Sequence, residues 1–227
     1  GIITMNSGAS YLSNETQAEL TMLIKSSFDN CRSNPQIGLE IGTQAYEQAQ
    51  SNTIEKVEAL VCIGSAKVWL GNYDEALKDL FLSIELFSDF NNSSFESHAY
   101  YHIFCAFYYL ADYDNALKYA FEMLHSSEKS KNTLAQASAY NGIGTVYYTI
   151  GENEKAIEKL TKGLTLAQKN NDKTLLARIY DGIGTAYFNL NNIEKSIEFQ
   201  QKSLNESRST GSKHEESFGI EGLAKLH

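Results

Sequence analysis

The stretch that decides the fold is ASAYNGIGTVYYTIGENEKA, residues 137–156, because it returns 40 positions later as ARIYDGIGTAYFNLNNIEKS, residues 177–196. The same register holds upstream in VEALVCIGSAKVWLGNYDEA, residues 57–76, and in SHAYYHIFCAFYYLADYDNA, residues 97–116. A further, incomplete start lies at residues 217–227. Four full copies at one fixed spacing indicate a repeat architecture, in which each copy is a supersecondary unit that packs on the next.

Each copy predicts two helices. In the fourth copy, Tyr140, Ile143 and Tyr147 recur at steps of three and four, which places them on one face of a first helix. Gly151 then favours a helix end, and the inward residues of the second helix include Leu160. Since the chain contains a single proline, long helices are permitted almost throughout.

Small residues recur where the two helices of a copy should cross. Gly64, Gly144 and Gly184 occupy the same position in three copies. A glycine inside a helix costs about 0.5–1 kcal/mol relative to alanine, so its recurrence predicts a close approach of the two backbones. The third copy carries Phe104 at this position, and we expect that helix pair to splay or shift.

The pattern Tyr140-x-x-Ile143-Gly144-x-x-Tyr147, followed by Ala156 in the second helix, resembles the tetratricopeptide repeat. That family has about 34 residues per unit, and the longer spacing here is similar to an extended variant. The proline that often closes the family's unit is missing from the copies. The resemblance covers about residues 35–227 and implies an all-α fold, a right-handed α-solenoid of antiparallel helix pairs whose first helices line a concave groove.

The domain organisation follows from the repeat register. We expect residues 1–14 to be a leader that is disordered or left by cloning, and residues 15–227 to form one repeat domain. We also expect the last unit to be cut from a longer protein rather than to serve as a cap. The predicted units lie near 15–52, 53–92, 93–132, 133–172 and 173–212, with a partial unit at 213–227.

Charge and composition exclude several classes of partner. The net charge of −9 disfavours binding to phosphate backbones, so we expect no nucleic acid. The longest apolar run, residues 100–111, is shorter than the roughly 20 residues that span a bilayer, so we expect no membrane insertion. Three widely spaced cysteines without a CxxC pair indicate neither disulfides nor zinc and favour a reducing, cytoplasmic location.

No catalytic or metal-binding pattern stands out. Gly142-x-Gly144 lies inside a predicted helix, whereas a dinucleotide fingerprint needs a preceding strand and a third glycine. His98 and His102 share a helix face at a spacing that can bind zinc, but they are not part of an HExxH motif. We therefore predict no enzyme activity, no cofactor and no metal.

A second stripe on each first helix should face the groove and bind a partner. In the second copy it comprises Glu58, Val61, Ser65 and Val68. Tyrosine is favoured at interfaces because it combines buried area with a hydrogen-bonding tip. The alternative is that the groove aromatics pack on neighbouring first helices. The predicted partner-binding residues are His98, Tyr101 and Tyr108 in the third copy, Asn141, Thr145 and Tyr148 in the fourth, and Arg178, Asp181 and Thr185 in the fifth.

In proteins that the resemblance covers, an asparagine at the position of Asn141 often bonds the backbone of an extended peptide. The lysines with which some of these proteins bind an acidic chaperone tail are absent from the matching positions here. These observations lead to two functional hypotheses. The first is a cytoplasmic, non-catalytic scaffold that binds a protein or peptide in its groove.

The second hypothesis is a regulatory or sensor segment of a larger bacterial signalling protein, such as a cyclase, kinase or transcription regulator. Homo-oligomerisation through an exposed end face that carries Phe218 and Leu226 is compatible with either hypothesis. Both hypotheses stay open from the sequence, as do a peptide, a folded domain and a small molecule as the ligand.

Overall fold

The computed structural model describes residues 13–90, 94–211 and 213–224 of the chain. In these residues every regular element is a helix. Residues 1–12 of the expected leader lie outside this part of the chain, and Ser13 caps the first helix. The helices are α1 (Asn14–Asn30), α2 (Pro35–Gln48), α3 (Ile54–Trp69), α4 (Tyr73–Phe87), α5 (Ser94–Tyr109), α6 (Tyr113–Lys129), α7 (Thr133–Thr149), α8 (Asn153–Asn170), α9 (Lys173–Asn189), α10 (Ile193–Thr210) and α11 (Lys213–Ala224).

The helices pack in consecutive pairs, and the first helices also stack on one another. Each odd-numbered helix from α1 to α9 packs on the helix that follows it, and α1, α3, α5, α7, α9 and α11 each contact the next in that series. The first helices therefore form one continuous inner layer. This arrangement confirms the all-α solenoid that the sequence predicted, while the exact unit boundaries stay a prediction.

One turn geometry ends four of the first helices. Gly71, Ala111, Gly151 and Asn191 all have a left-handed backbone conformation. The amide of each donates to a carbonyl three residues back, and the next amide donates five residues back. This is the Schellman motif, which satisfies carbonyls that the helix end would leave unpaired. The repeat period is thus set partly by the chemistry of these turns.

The crossing glycines are required by their neighbours. A Cβ on Gly64 would lie 2.6 Å from Leu80 Cγ, and a Cβ on Gly144 would collide with the side chain of Leu160. In the third unit the glycine position carries Phe104 and the leucine position carries Ala120. The ring of Phe104 lies beside α7, where a Cβ on Gly142 would be 3.3 Å from it. Phe104 and Ala120 are buried in the same cluster. The helices α5 and α6 still pack as a pair.

The inner face of α10 is polar where that of α8 is apolar. Ser196 donates to the carbonyl oxygen of Gly184 and Ser203 to that of Ala177, each at 2.8 Å. The amide nitrogen of Gln200 donates to the Asp181 carbonyl oxygen at 3.3 Å. The pair α9–α10 is therefore held partly by side-chain hydrogen bonds to backbone carbonyls.

Candidate binding groove

The concave face holds a central cavity of about 190 Å³. Its walls come from the α1–α2 turn and from α3, α5, α7, α9 and α10, so five helix pairs converge on one space. The lining residues are Arg32, Trp69, Tyr101, Phe104, Cys105, Tyr108, Tyr109, Asn141, Thr145, Tyr148, Ala177, Arg178, Asp181 and Ser203.

Two further cavities adjoin the central one. The second cavity, of about 370 Å³, shares Arg32, Trp69, Tyr101 and Arg178 with it and continues towards the first turns of α7 and α9. The end cavity, of about 200 Å³, shares Asp181 with it and lies between α9, α10 and α11. The three cavities therefore form one continuous groove along the inner helices.

All nine predicted partner-binding residues line this groove. Tyr108, Asn141, Thr145 and Tyr148 line the central cavity, Tyr101 and Arg178 line the central and second cavities, His98 lines the second, Asp181 lines the central and end cavities, and Thr185 lines the end cavity. The structure thus brings together residues of three repeat units. Their contact with a partner stays a prediction.

The groove aromatics also pack on their neighbours. The hydroxyls of Tyr108 and Thr149 lie 3.1 Å apart, which joins α5 to α7, and the rings of Phe104 and Tyr108 are 5.9 Å apart. Burial raises the pKa of Tyr148. Packing on neighbours and lining the groove are therefore not exclusive for these side chains.

Unlike these aromatic side chains, the side-chain amide of Asn141 is not engaged by a neighbouring residue that the structure describes. It is half-buried in the wall of the central cavity and forms no hydrogen bond with another residue in the described ranges. The backbone carbonyl of Asn141 already accepts from the Thr145 hydroxyl at 2.8 Å. The amide therefore keeps both its donor and its acceptor capacity for a molecule in the groove.

The predicted stripe of the second unit does not reach the groove as a whole. Val61 and Ser65 are 0% exposed, and Val68 is buried. The reason is that α5 covers this face: the Ser65 hydroxyl lies 2.9 Å from Nδ1 of His102. The prediction for this unit was wrong because it extended the groove face to a helix that its neighbour covers.

Arg32 is a groove residue that was not predicted from the sequence. It follows α1 in the short turn before α2, and its guanidinium lies 5.0 Å from the centroid of the Trp69 ring. The first unit diverges from the repeat pattern, so no register assigned Arg32 to the concave face. Its sequence signal is weak: one arginine after a helix end in a chain of net charge −9.

The electrostatics of the groove differ from those of the whole chain. The charged lining of the central cavity consists of Arg32, Arg178 and Asp181, and that of the second cavity replaces Asp181 by Asp172. Burial lowers the pKa of His98, and it lowers the pKa of His102 to about 3, so these rings are neutral at pH 7. Both cavities therefore carry one more cation than anions, inside a strongly acidic protein.

The surroundings of the three buried cysteines fit a structural role. Burial raises the pKa of Cys31 to about 11 and those of Cys62 and Cys105 to about 12, so these thiols stay protonated at neutral pH. In the described parts of the chain, no group of three His, Cys, Asp or Glu side chains is arranged to hold a metal ion. Among the helices described, none combines the length and the apolar character that a membrane crossing requires.

The side chains expected at the self-association surface, Phe218 and Leu226, lie outside the part of the chain whose side chains are described. On α11 the side chain of Ile220 is half exposed. Self-association through this end therefore stays a prediction.

Comparison with known proteins supports the family resemblance. Residues 135–209 match the family model described as tetratricopeptide repeat. No curated protein sequence matches the chain. The chain superposes on a Rap protein complexed with competence and sporulation factor with a TM-score of 0.67 at 15% identity, over 95% of this chain and 65% of that one.

Two further structures show the same fold. A signal transduction ATPase with numerous domains and a tetratricopeptide-repeat sensor, from Pyrococcus horikoshii, has a TM-score of 0.70 at 18% identity, over 91% of this chain and 32% of that one. A kinesin light chain-like repeat protein from Podosopora anserina has a TM-score of 0.63 at 11% identity, over 88% and 99%. The chain spans less than two thirds of the Rap protein and about one third of the ATPase.

Proposed function

We propose that this tetratricopeptide-repeat chain is a non-catalytic scaffold that binds an extended peptide or protein segment in its concave groove. The observation that carries the proposal is the convergence of all nine predicted residues on three adjoining cavities. The Rap protein named above was solved with a bound factor, which supports ligand binding by this fold. The three free, buried cysteines support a reducing, cytoplasmic location.

The chemistry of the central cavity suits a peptide. Tyr101, Tyr108 and Tyr148 offer aromatic area, which contributes strongly at interfaces. The Asn141 amide can donate to a peptide carbonyl and accept from a peptide N–H, which an extended backbone presents side by side. Arg178 and Arg32 add a positive local charge that favours acidic groups in the ligand.

The test is retention of a partner from a lysate of the source cells by the immobilised chain. We expect wild type to retain a protein that Asn141→Ala loses, because only the groove amide is removed. Asn205→Ala is the matched control, since Asn205 is exposed on α10 and forms no hydrogen bond with a described residue. Equal retention by wild type and Asn141→Ala would place the binding site outside the groove and contradict the proposal.

A second candidate is a regulatory or sensor segment of a larger signalling protein. It is favoured by the share of the Rap protein and of the Pyrococcus ATPase that this chain spans, since the repeat of that ATPase is described as a sensor. Reading the gene beyond the codon for His227 tests it. A continuous reading frame into a cyclase, kinase or DNA-binding domain supports this candidate, and a stop codon directly after His227 contradicts it.

A further inference from the structure

The interior of the second cavity is apolar and aromatic. Six helices contribute one large side chain each, namely Phe28, Trp69, Tyr101, Met123, Leu134 and Leu175. The rings of His98 and His102 also line this cavity, and burial lowers the pKa of both, that of His102 to about 3. These rings are therefore neutral at pH 7 and add uncharged surface to the apolar interior.

Part of this apolar lining is accessible. Leu134 is 38% exposed, and Phe28 and Trp69 are half-buried. Leu134 lies in the first turn of α7, where the repeat does not require an apolar residue, because Thr174 occupies the equivalent position in the next unit. Covering an exposed leucine at a cavity wall with an apolar group is favourable, since apolar surface is removed from water.

Met123 marks a departure of this cavity from the repeat. The equivalent positions of the second, fourth and fifth units carry the small residues Ser83, Gly163 and Ser203. The methionine is 3% exposed, lines the second cavity and packs with residues of α5 and α7. A methionine side chain is unbranched and adapts to what it contacts. The wall that Met123 supports can therefore adjust to apolar groups of different shape.

Two polar residues of this cavity already serve the helices that carry them. The carboxylate of Asp172 caps α9 by accepting from the Leu175 amide at 2.9 Å. The side chain of Asn132 caps α7 by accepting from the Ala135 amide at 3.0 Å. Because a helix N-terminus carries a partial positive charge, the charge of Asp172 is partly offset where it lies.

The cations in the lining are Arg32, from the α1–α2 turn, and Arg178, from α9. Burial raises the pKa of Cys105 on α5 to about 12, and the Tyr101 hydroxyl and the Arg32 guanidinium oppose that rise, so the charge of Arg32 is close to this wall. Both arginines already interact with other groups of the chain. A guanidinium has five N–H donors, so it can hold one group and still donate to a carboxylate. The charge of the cavity therefore complements an acidic group.

We infer that the second cavity binds a large apolar side chain of the peptide that the proposed function places in the groove, and that Arg32 and Arg178 bind a carboxylate next to this side chain. The bonds to the carboxylate are charge-assisted, which makes them strong. The cavity volume of about 370 Å³ is at the small end of the range for ligand pockets, about 300–1,000 Å³, and suits one side chain with its neighbour. This inference rests on the proposed function and adds the class of residue that the groove selects.

The experiment compares four libraries of short acetylated peptides for binding to the immobilised full chain. The first library contains phenylalanine, leucine, aspartate and glutamate and has amidated C-termini. The second replaces its large apolar residues by alanine, and the third replaces its acidic residues by asparagine and glutamine. The fourth is the third with a free carboxyl terminus. We expect the best-retained peptides of the first library to bind about tenfold more tightly than those of the second or the third.

The four libraries separate the possible outcomes. Tight binding of the fourth library identifies a C-terminal carboxylate, and weak binding of the fourth beside tight binding of the first identifies an acidic side chain; both support the inference. If the first library binds no better than the second, or if neither carboxylate-bearing library binds better than the third, the inference is overturned and the proposed function stands, because a peptide is still bound. Retention of no peptide from any library contradicts the proposed function and the inference with it.

Leu134→Thr tests whether the second cavity is the site. The variant introduces the residue that the fifth unit carries at this position, on an exposed part of α7. We expect binding of the first library to weaken about fivefold and binding of the alanine library to stay the same. Ile150→Thr is the matched control, since it removes an exposed apolar side chain at the other end of α7, outside the three cavities. Wild-type affinity in both variants overturns the inference.

A pair of double variants tests the carboxylate. Arg32→Gln with Arg178→Gln should lose the preference for carboxylate-bearing peptides over the third library. Lys129→Gln with Lys169→Gln removes two exposed charges from the ends of α6 and α8 and should keep it. A preference that survives in the arginine variant overturns the inference.

Discussion

The guanidinium of Arg32 lies over the ring of Trp69, 5.0 Å from its centroid. The contact joins the turn after α1 to the end of α3, and both residues line the central cavity with side chains of α5, α7 and α9. Because the arginine stacks on the indole, its charge stays in the groove although the side chain is long and flexible. The first unit, which diverges most from the repeat, thus contributes a cation to the proposed site.

Removing this cation should destabilise the chain modestly. We expect Arg32→Ala to lower the free energy of unfolding by about 0.5–1 kcal/mol, the range of a cation–π contact at a partly exposed site. Urea denaturation followed by circular dichroism measures the effect. Lys129→Ala, at an exposed residue at the end of α6, is the control and should change stability by less than about 0.5 kcal/mol. Equal effects of the two substitutions would show that the stacking contributes nothing.

The third unit carries Phe104 and Ala120 where the fourth carries Gly144 and Leu160, which predicts a compensating pair of substitutions in the fourth unit. Gly144→Phe alone should cost about 1–3 kcal/mol or more by overpacking against Leu160, and Leu160→Ala alone about 2–5 kcal/mol through the cavity it leaves. The third unit carries the large residue on its first helix and the small one on its second. The double variant should therefore lose clearly less stability than the sum of the two single losses. Additive losses in chemical denaturation would mean that the two positions do not share volume.

The left-handed residue Ala111 predicts a stabilising substitution. Its φ of 57° is unfavourable for a residue with a Cβ, whereas Gly71 and Gly151 occupy the equivalent turns with φ of 80° and 89°. We expect Ala111→Gly to raise the free energy of unfolding by about 0.5–1 kcal/mol. Gly151→Ala is the mirror experiment and should lower it. A loss of stability in Ala111→Gly would show that the methyl group contributes contacts that outweigh the backbone strain.

The neutral His102 predicts a loss of stability in acid. Its folded pKa, about 3, lies below the unfolded value of about 6.5 because the ring is buried. The unfolded chain therefore binds the proton first, so this stabilisation is complete above about pH 6.5 and is lost as the pH falls towards 3. The histidine accounts for about 2 kcal/mol between pH 7 and pH 5. His102→Asn should flatten that dependence, and the exposed His125→Asn should not; identical pH profiles for all three proteins would contradict the assignment.

The repeat register explains how much of this structure could be predicted. The crossing of Gly144 with Leu160 and the clustering of Asn141, Thr145 and Tyr148 follow from helical spacing and a 40-residue period. The burial of Ser65 does not follow from the repeat, because it depends on how far α5 leans over α3. The roles of Arg32 and Gln200 could not be predicted either. The contact of Arg32 with the groove requires the curvature of several units, and Gln200 occupies a position where the repeat carries leucine.

The most direct test of the binding groove uses Trp69, which is the only tryptophan of the chain and lines two of its cavities. A tryptophan-free segment of the partner retained from the lysate is titrated into wild type and Asn141→Ala while the emission is followed. We expect a saturable change in Trp69 emission, with an affinity at least about tenfold weaker in Asn141→Ala. Binding detected by calorimetry with no change in Trp69 emission, and with equal affinity in the variant, would contradict the claim that the groove is the binding site.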